Sequence, residues 1–377
     1  MGENTTAAAT PASAPSNAGA FRVVPNATPL ADEARAAALT DLKFGTQFTD
    51  HMARMTWTNG TGWDGRRVEA YGPLQLDPAA AVLHYGQEIF EGLKAYRWAD
   101  GSVWMFRPTA NAERFNRSAA RLALPELPVE DFLGSIEALV AADEAWVPSG
   151  AETSLYLRPF MFASEAFLGV RPANVVDYLL IASPVGAYFP QGVKPVSIWV
   201  SRDYHRAGPG GTGAAKCGGN YASSLLPQQE AYAHGCQQVL FLDARDERYL
   251  EELGGMNVFV VKADGTVETP RLTGTILEGI TRSSVIRLLE EQDLKVIEKN
   301  ITMDEVVAGV SDGSITEVFA CGTAAVVTPV GRLASDGFDI TIGDGEAGAV
   351  TMGIRKTLTD IQYGHTEDPY GWMKRVV

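Results

Sequence analysis

Residues Gly208 to Tyr221 read GPGGTGAAKCGGNY. A single lysine, Lys216, stands among glycines and alanines, and Tyr221 follows it five residues later. Glycine admits positive φ and lets main chain approach a neighbour closely. A lone lysine in small apolar company is poorly solvated, which favours the free amine, its nucleophilic form. A cofactor that carries a phosphate and an aldehyde, held as a Schiff base, needs such a lysine.

Other readings compete for the stretch. Gly208, Gly210 and Gly213 match GxGxxG, the dinucleotide fingerprint of NAD-dependent dehydrogenases. That motif belongs directly after a strand and at the opening of a helix. Here the polar run SRDYHRA separates it from the apolar strand at 196–200, Pro209 interrupts it, and the helical pattern begins near Asn220. A P-loop requires GK[ST], whereas Lys216 lies between Ala215 and Cys217. The bland alternative is a glycine-rich surface loop with a solvated lysine. Alone, the stretch suggests a site and leaves its chemistry open.

The chain around it has 377 residues, more than one core usually serves, so two domains are expected. The net charge of −15 argues against general nucleic-acid or anionic-membrane binding. Cys217, Cys236 and Cys321 are few, odd in number and without metal-type spacing, which suits a reduced, cytoplasmic setting. The five histidines form no HxxxH pair, so no metal is expected. No apolar run reaches membrane-spanning length. Neither a signal peptide nor a transit peptide is expected at the N-terminus, which has no arginine before Arg22. Residues 1–20, rich in Ala, Thr, Ser and Pro, are expected to form a disordered tail.

Further along, HMARMTWT, VEAYGPLQL and AAVLHYGQEIFEGLKAYRW read as strands and turns. Asp100-Gly101 and Asp264-Gly265 sit between apolar flanks as hairpin turns. The helical stretch 111–122 carries Arg114, Arg117 and Arg121 at i, i+3 and i+7: a solvated cationic face, or one arginine that grips an anion. In SLYLRPFMFAS, alternation puts Tyr156 and Arg158 on one face, where an inward arginine needs a partner. The Gly- and Pro-dense segment 186–196 reads as a linker between a smaller domain, 21–185, and a larger one, 197–377. Ligand sites favour such interfaces. Glu251 and Glu252 precede two glycines and an apolar strand; one of them should point inward, toward a cationic partner. Gly279 and Thr281 precede an amphipathic helix with Thr281 as the expected N-cap, and free N–H groups at a helix start bind phosphate. The turn at Gly322-Thr323 offers N–H groups in the same way.

Together these segments resemble the branched-chain amino-acid aminotransferases, pyridoxal-phosphate enzymes of fold type IV. The resemblance spans 44–372. It rests on FTDHM (48–52), HYGQEIFEGLKAYR (84–97), FRP (106–108), SLYLRP (154–159), GAYFP (186–190), AAKCGGNYASSL (214–225), GCQQVLFLD (235–243), EELGGMN (251–257), ILEGITR (276–282) and EVFACGTAAVVTPV (317–330), in the family's order.

The resemblance implies two α/β domains with pyridoxal 5'-phosphate between them, and a homodimer. It makes Lys216 the Schiff-base and proton-transfer residue, Glu252 the partner of the protonated ring nitrogen, and Tyr221 the partner of the ring oxygen. It selects Arg114 among the three arginines for the phosphate, with Ile280, Thr281 and Thr323. It assigns Tyr156 and the Thr323-Ala324 turn to the substrate carboxylate, with Arg158 positioning them or meeting glutamate's second carboxylate. Tyr85, Phe90 and Val170 correspond to side-chain pocket residues, some lent by a second subunit. The implied substrates are Leu, Ile or Val and 2-oxoglutarate. Where some animal relatives carry CxxC, this chain has Ala325 and Thr328, so no redox switch is expected there. D-amino-acid aminotransferases and aminodeoxychorismate lyases share the implied fold, but LYLRP and FEGLKAYR argue against them. A catalytically silent binding protein is the remaining alternative.

Overall fold

The strand expected from SLYLRPFMFAS runs Ser154–Ala163 and lies inside a nine-stranded sheet. The computed structural model describes residues 16–188 and 192–377. In spatial order the first sheet runs Arg22–Val23, Gly62–Ala70, His51–Thr58, Val175–Val185, Ser154–Ala163, Leu93–Arg97, Val103–Phe106 and Met373–Arg375. Glu88–Phe90 adds to Ser154–Ala163 as a further partner. The long central pair is antiparallel, in register from Ser154↔Val185 to Ala163↔Val176. Its nearly unbroken burial reflects cover on both faces.

The helices are, in chain order, α1 (Asp32–Ala38), α2 (Ala81–Tyr85), α3 (Pro108–Arg121), α4 (Val129–Ala142), α5 (Gly218–Ala222), α6 (Leu225–Ala233), α7 (Ile280–Glu291), α8 (Met303–Asp312) and α9 (Ala349–Gln362). Pro108 opens α3, a position where its missing N–H costs nothing. Phe115 of α3 and Phe132 of α4 are fully buried and meet Tyr178 of the sheet, so the apolar faces of these helices seal it.

The second sheet runs Leu250–Leu253, Gln238–Leu242, Val196–Val200, Val326–Ser335, Ile315–Gly322, Asn257–Lys262, Val267–Pro270 and Val296–Lys299. Phe338–Thr341 pairs alongside Val326–Ser335. Leu250–Leu253 also pairs with Asn257–Lys262, through Glu252↔Asn257, so six strands close into a ring. Ile198, Val200, Leu240, Val258, Val318 and Val330 share one buried cluster of this ring. Closure takes Glu252 out of water and sets it beside Asn257.

Several expectations are corrected. The run AAVLHY forms the short helix α2 rather than a strand, ended by Gly86 at φ 59. Five residues are too few to show a helical period. The helix expected over 220–234 is two helices, α5 and α6, with Ser223 and Ser224 between them and Pro227 in the first turn of α6. The N-cap of α7 is Gly279, and Thr281 lies inside the first turn. The tail expected to be disordered through residue 20 is seated from Asn17 onward. Asn17 Nδ2 donates to Asp131 Oδ1 at 2.7 Å, its N–H to Glu130 O at 2.9 Å, and Ala18–Ala20 form a 3-10 turn. Residues 1–15, and residues 189–191 of the expected linker, lie outside the described residues. A final strand not expected from the sequence, Met373–Arg375, crosses back to pair with Val103–Phe106 of the first sheet.

Candidate active site

The lysine loop is pinned from both halves of the molecule. The Lys216 N–H donates to Ser118 Oγ of α3 at 2.9 Å, and its carbonyl accepts from the Phe90 N–H at 3.0 Å. Asn220 Nδ2 holds the carbonyls of Thr212 and Ala215, each at 2.9 Å. Some of the loop's glycines are required by contact. A β-carbon on Gly213 would run into the Thr275 carbonyl, and one on Gly218 into the Glu88 carboxylate. Lys216 Nζ donates to Tyr221 Oη at 2.7 Å and lies 4.8 Å from the Phe90 ring centroid. The surface-loop alternative therefore fails: the amine is aimed at a tyrosine and an aromatic face. Between the end of the strand at Val200 and the start of α5 at Gly218 the chain is irregular, which also disposes of the dinucleotide reading.

Both acidic residues of the EE pair are buried, not one. Glu252 is 1 % exposed. Its Oε1 accepts from the Leu277 N–H at 2.7 Å and forms an ion pair with Arg206 Nη1 at 2.8 Å. Burial pushes the Glu252 carboxyl up to about 7, against the opposing pull of Arg206. Arg206 Nη1 also donates to the carbonyls of Gly213 and Thr275, each at 3.1 Å, and so ties the carboxylate to the lysine loop. Burial likewise pushes Glu251 up, and its Oε2 has no hydrogen-bond partner among the described residues. Sequence reasoning demanded a cation here but did not find Arg206, which lies 46 positions before Glu252 in an ordinary polar run.

Of the three α3 arginines, Arg117 and Arg121 are exposed and Arg114 is buried. Arg121 donates to the carbonyls of Gly210 at 3.0 Å and Gly211 at 3.2 Å, and Arg117 pairs with Glu278 at 3.2 Å. Arg114 is buried and makes a two-pronged pair with Glu91, at 2.7 and 2.8 Å. Its Nη1 donates to the Glu278 carbonyl at 3.1 Å, and Asn111 Nδ2 donates to Glu91 Oε2 at 2.7 Å. Burial alone would raise Glu91. The charge and hydrogen bonds of Arg114, with Lys216 and Asn111, hold it below the ordinary glutamate value. Glu91 is a second residue that sequence reasoning missed. It lies in the quoted FEGLKAYR motif, and only the inward arginine could have pointed to it.

A small cavity of about 20 Å³ lies between the two sheets, lined by Gly92, Lys94, Asn111 of α3, Ile280, Thr281 and Thr323 among others. Among the described residues no side chain caps α7, whose first turn opens here. Arg107 fixes that helix to the first sheet's side by donating to Ser283 Oγ at 2.9 Å and Ser284 Oγ at 2.6 Å. A β-carbon on Gly92 would collide with the Tyr156 hydroxyl. Lys94, also unforeseen, is buried and donates to the Ala324 carbonyl at 2.8 Å. Burial, with repulsion from Arg355, lowers its amine to about 8.

Tyr156 and Arg158 share a face as expected. Arg158 Nη2 donates to Tyr156 Oη at 2.9 Å, and its guanidinium lies 4.7 Å from the Phe90 ring centroid. Arg158 Nε is buried without a hydrogen-bond partner among the described residues. The structure thus gathers Lys216, Tyr221, Phe90, Tyr156, Arg158, Glu252 and Arg114 into one region, and Ile280, Thr281 and Thr323 around the adjoining cavity. Tyr85 and Val170 are exposed at the surface of the chain, 43 % and 90 %.

These residues fit the phosphate-bearing aldehyde that the sequence led us to expect. The amine is directed, a buried carboxylate has both its partners on one oxygen, and a helix start without a side-chain cap opens beside an arginine.

Residues 88–333 match the family model for amino-transferase class IV. The branched-chain-amino-acid aminotransferase of Mycolicibacterium smegmatis is 55% identical over 360 residues, covering 94% of this chain and 98% of its own. The crystal structure of the Escherichia coli branched-chain amino acid aminotransferase superposes with a TM-score of 0.71 at 32% identity, covering 86% of this chain and all of the other. The crystal structure of the branched-chain aminotransferase from the thermophilic archaeon Thermoproteus uzoniensis, with norvaline, gives a TM-score of 0.70 at 28% identity, over 86% and 100% of the two chains. The chain belongs to the class IV aminotransferases, among the branched-chain-amino-acid aminotransferases. Its fold is that of fold type IV, as the resemblance implied.

Proposed function

We propose that the protein moves the amino group of L-leucine, L-isoleucine or L-valine reversibly to 2-oxoglutarate, by a ping-pong route with pyridoxal 5'-phosphate. The observation that carries this reading is Lys216 Nζ bonded to Tyr221 Oη within a site that also buries Glu252 and Arg114. Bound pyridoxal phosphate supplies an aldehyde carbon for amine attachment and a ring that withdraws electrons from substrate Cα.

The chain's own residues do the rest. Lys216 would hold the cofactor in the resting enzyme and, once released, would carry the proton between substrate Cα and the cofactor's aldehyde carbon, in one direction in each half-reaction. Tyr221 orients that amine and contacts the ring oxygen. Glu252 would hold a proton on the ring nitrogen of the bound cofactor, where a positive charge would favour the charged form of its carboxyl. Arg206 is the positioning residue for Glu252. Arg114, with the N–H groups of Ile280 and Thr281 and with Thr323, receives the phosphate. Its charge is locally balanced by Glu91, so it serves as a directed donor more than as a bare cation. Tyr156 and the Thr323-Ala324 turn take the substrate carboxylate. Phe90 walls the aliphatic side chain, and Arg158 meets glutamate's second carboxylate.

The domain division is 21–185, a linker at 186–196 and 197–377, with the last strand lent back to the first sheet. A homodimer explains why Tyr85 and Val170 stand exposed: each would complete the pocket of the other subunit. The three unpaired cysteines suit a cytoplasmic setting.

The test is the near-visible absorption of the protein loaded with pyridoxal phosphate. L-leucine should remove the band and 2-oxoglutarate restore it. A band that answers D-alanine and not L-leucine would favour a D-amino-acid aminotransferase. No lysine-dependent band at all would mean that Lys216 is misread.

A further inference from the structure

The hairpin between Ile315–Gly322 and Val326–Ser335 closes on the pair Gly322↔Val326, leaving residues 323–325 as its loop. Val326 has φ 61. A β-branched residue takes this left-handed conformation only where its surroundings over-determine it. The loop must therefore be held from outside.

The holder is Arg355, on α9 and 4 % exposed. Its Nη1 donates to the carbonyls of Ala325 at 3.0 Å and Val327 at 3.1 Å, on the two sides of Val326. One nitrogen thus fixes two carbonyls whose relative direction is set by the backbone angles of Val326. Nη2 pairs with Glu152 at 2.6 Å. The helix that carries Arg355 is itself tied to the strand leading into the loop. Glu317 of that strand accepts from the N–H groups of Val350 at 3.0 Å and Thr351 at 2.8 Å. Lys94 also holds the loop, donating to the Ala324 carbonyl at 2.8 Å.

We infer that Arg355 is a positioning residue for substrate recognition: it locks the 323–325 loop in the shape that receives the substrate carboxylate, and Glu152 locks Arg355. The inference rests on the reading of Thr323-Ala324 as the carboxylate site. Arg355 acts through Ala325 and Val327 and has no part in moving the proton. Its loss should therefore appear in the binding of carboxylate-bearing molecules and spare the chemistry at Cα.

The experiment compares wild type with Arg355→Met, Arg355→Lys and Glu152→Gln, each loaded with pyridoxal phosphate. The probes are L-leucine, 4-methylvalerate (leucine's carboxylate and side chain without the amine) and 4-methylpentanamide. Arg355→Met should raise KM for L-leucine and Kd for 4-methylvalerate about tenfold, with kcat within about threefold, as expected for loss of ground-state binding. The cofactor absorption band and Kd for the amide should not move. Arg355→Lys should recover part of the loss, since an amine can still reach one carbonyl. Glu152→Gln, whose side chain is partly exposed, should shift KM in the same direction by about threefold. It keeps the test alive if Arg355→Met fails to fold. If wild type binds amide and carboxylate equally, the carboxylate reading of the turn fails and the inference with it. If wild type prefers the carboxylate and Arg355→Met or Glu152→Gln keeps that preference unchanged, the inference alone is overturned.

Discussion

Two buried ion pairs frame Lys216, and they are built differently. Arg114 meets Glu91 with two prongs, and Asn111 adds a third donor, so the carboxylate is held below its ordinary pKa. Arg206 meets Glu252 through one oxygen that it shares with a backbone N–H, and burial wins: the carboxyl rises to about 7. The first pair is closed and its charges answer each other. The second is under-compensated, so Glu252 has an appetite for a further positive group. The contrast teaches that burial alone does not mark a functional carboxylate; incomplete compensation does.

The comparison can be broken most severely on its closed side. Glu91→Gln leaves the Arg114 charge buried and unanswered, and should cost about 3–5 kcal/mol of stability in denaturant unfolding. A change below about 1 kcal/mol would show that the pair is not the structural one. On the open side, Glu252→Gln should lower kcat/KM for L-leucine about a hundredfold while leaving unfolding at about pH 4.5, where Glu252 is protonated, nearly unchanged, because Gln keeps an acceptor for Leu277 and Arg206.

The two carboxylates also predict opposite pH slopes in the cofactor-free protein. Glu91, with a depressed folded pKa, contributes stability above its ordinary value and loses it as pH falls below about 4.5. Glu252, raised from 4.5 to about 7, binds more protons folded than unfolded in that window, so stability falls as pH rises through it. Unfolding at stepped pH should show the second slope in wild type and not in Glu252→Gln. Saturation with pyridoxal phosphate should flatten it.

Lys94 gives an effect of comparable size with the sign opposite to that of Glu252. Its folded amine titrates at about 8 against an ordinary 10.5. The unfolded chain binds more protons between those values, so stability rises with pH there. Lys94→Met should abolish that rise. In wild type, KM for a branched 2-oxo acid should climb as pH passes about 8 and a charge near the carboxylate turn is lost. The smallest effect falls on the exposed pair of the same helix as Arg114. Arg117→Ala, which frees Glu278 from a contact of 3.2 Å, should change stability by less than about 1 kcal/mol.

What the sequence made legible was local. Lys216 and Tyr221 stood out because small residues surround them, and the pairing of Tyr156 with Arg158 followed from a period of two. Asp100-Gly101 and Asp264-Gly265 turned as written, with Gly101 at φ 87 and Gly265 at φ 83. The residues that escaped are partners. Glu91 answers Arg114, Arg206 answers Glu252, and Lys94 and Arg355 brace a hairpin more than two hundred and about thirty positions away, respectively. Such contacts are created by sheet closure and leave no periodic trace in either segment. The short helix α2 and the strand Met373–Arg375 escaped for a related reason: at five and three residues, neither is long enough to show a period.

That three-residue strand bears on how the molecule comes into being. Met373–Arg375 forms an edge of the first sheet, and Trp372 beside it is wholly buried against Phe106. During synthesis the ribosome must deliver the entire second sheet before the first can be finished. The early half of the chain therefore waits, with the Val103–Phe106 edge open to any stray strand, and the two halves are committed to folding as one event rather than in sequence.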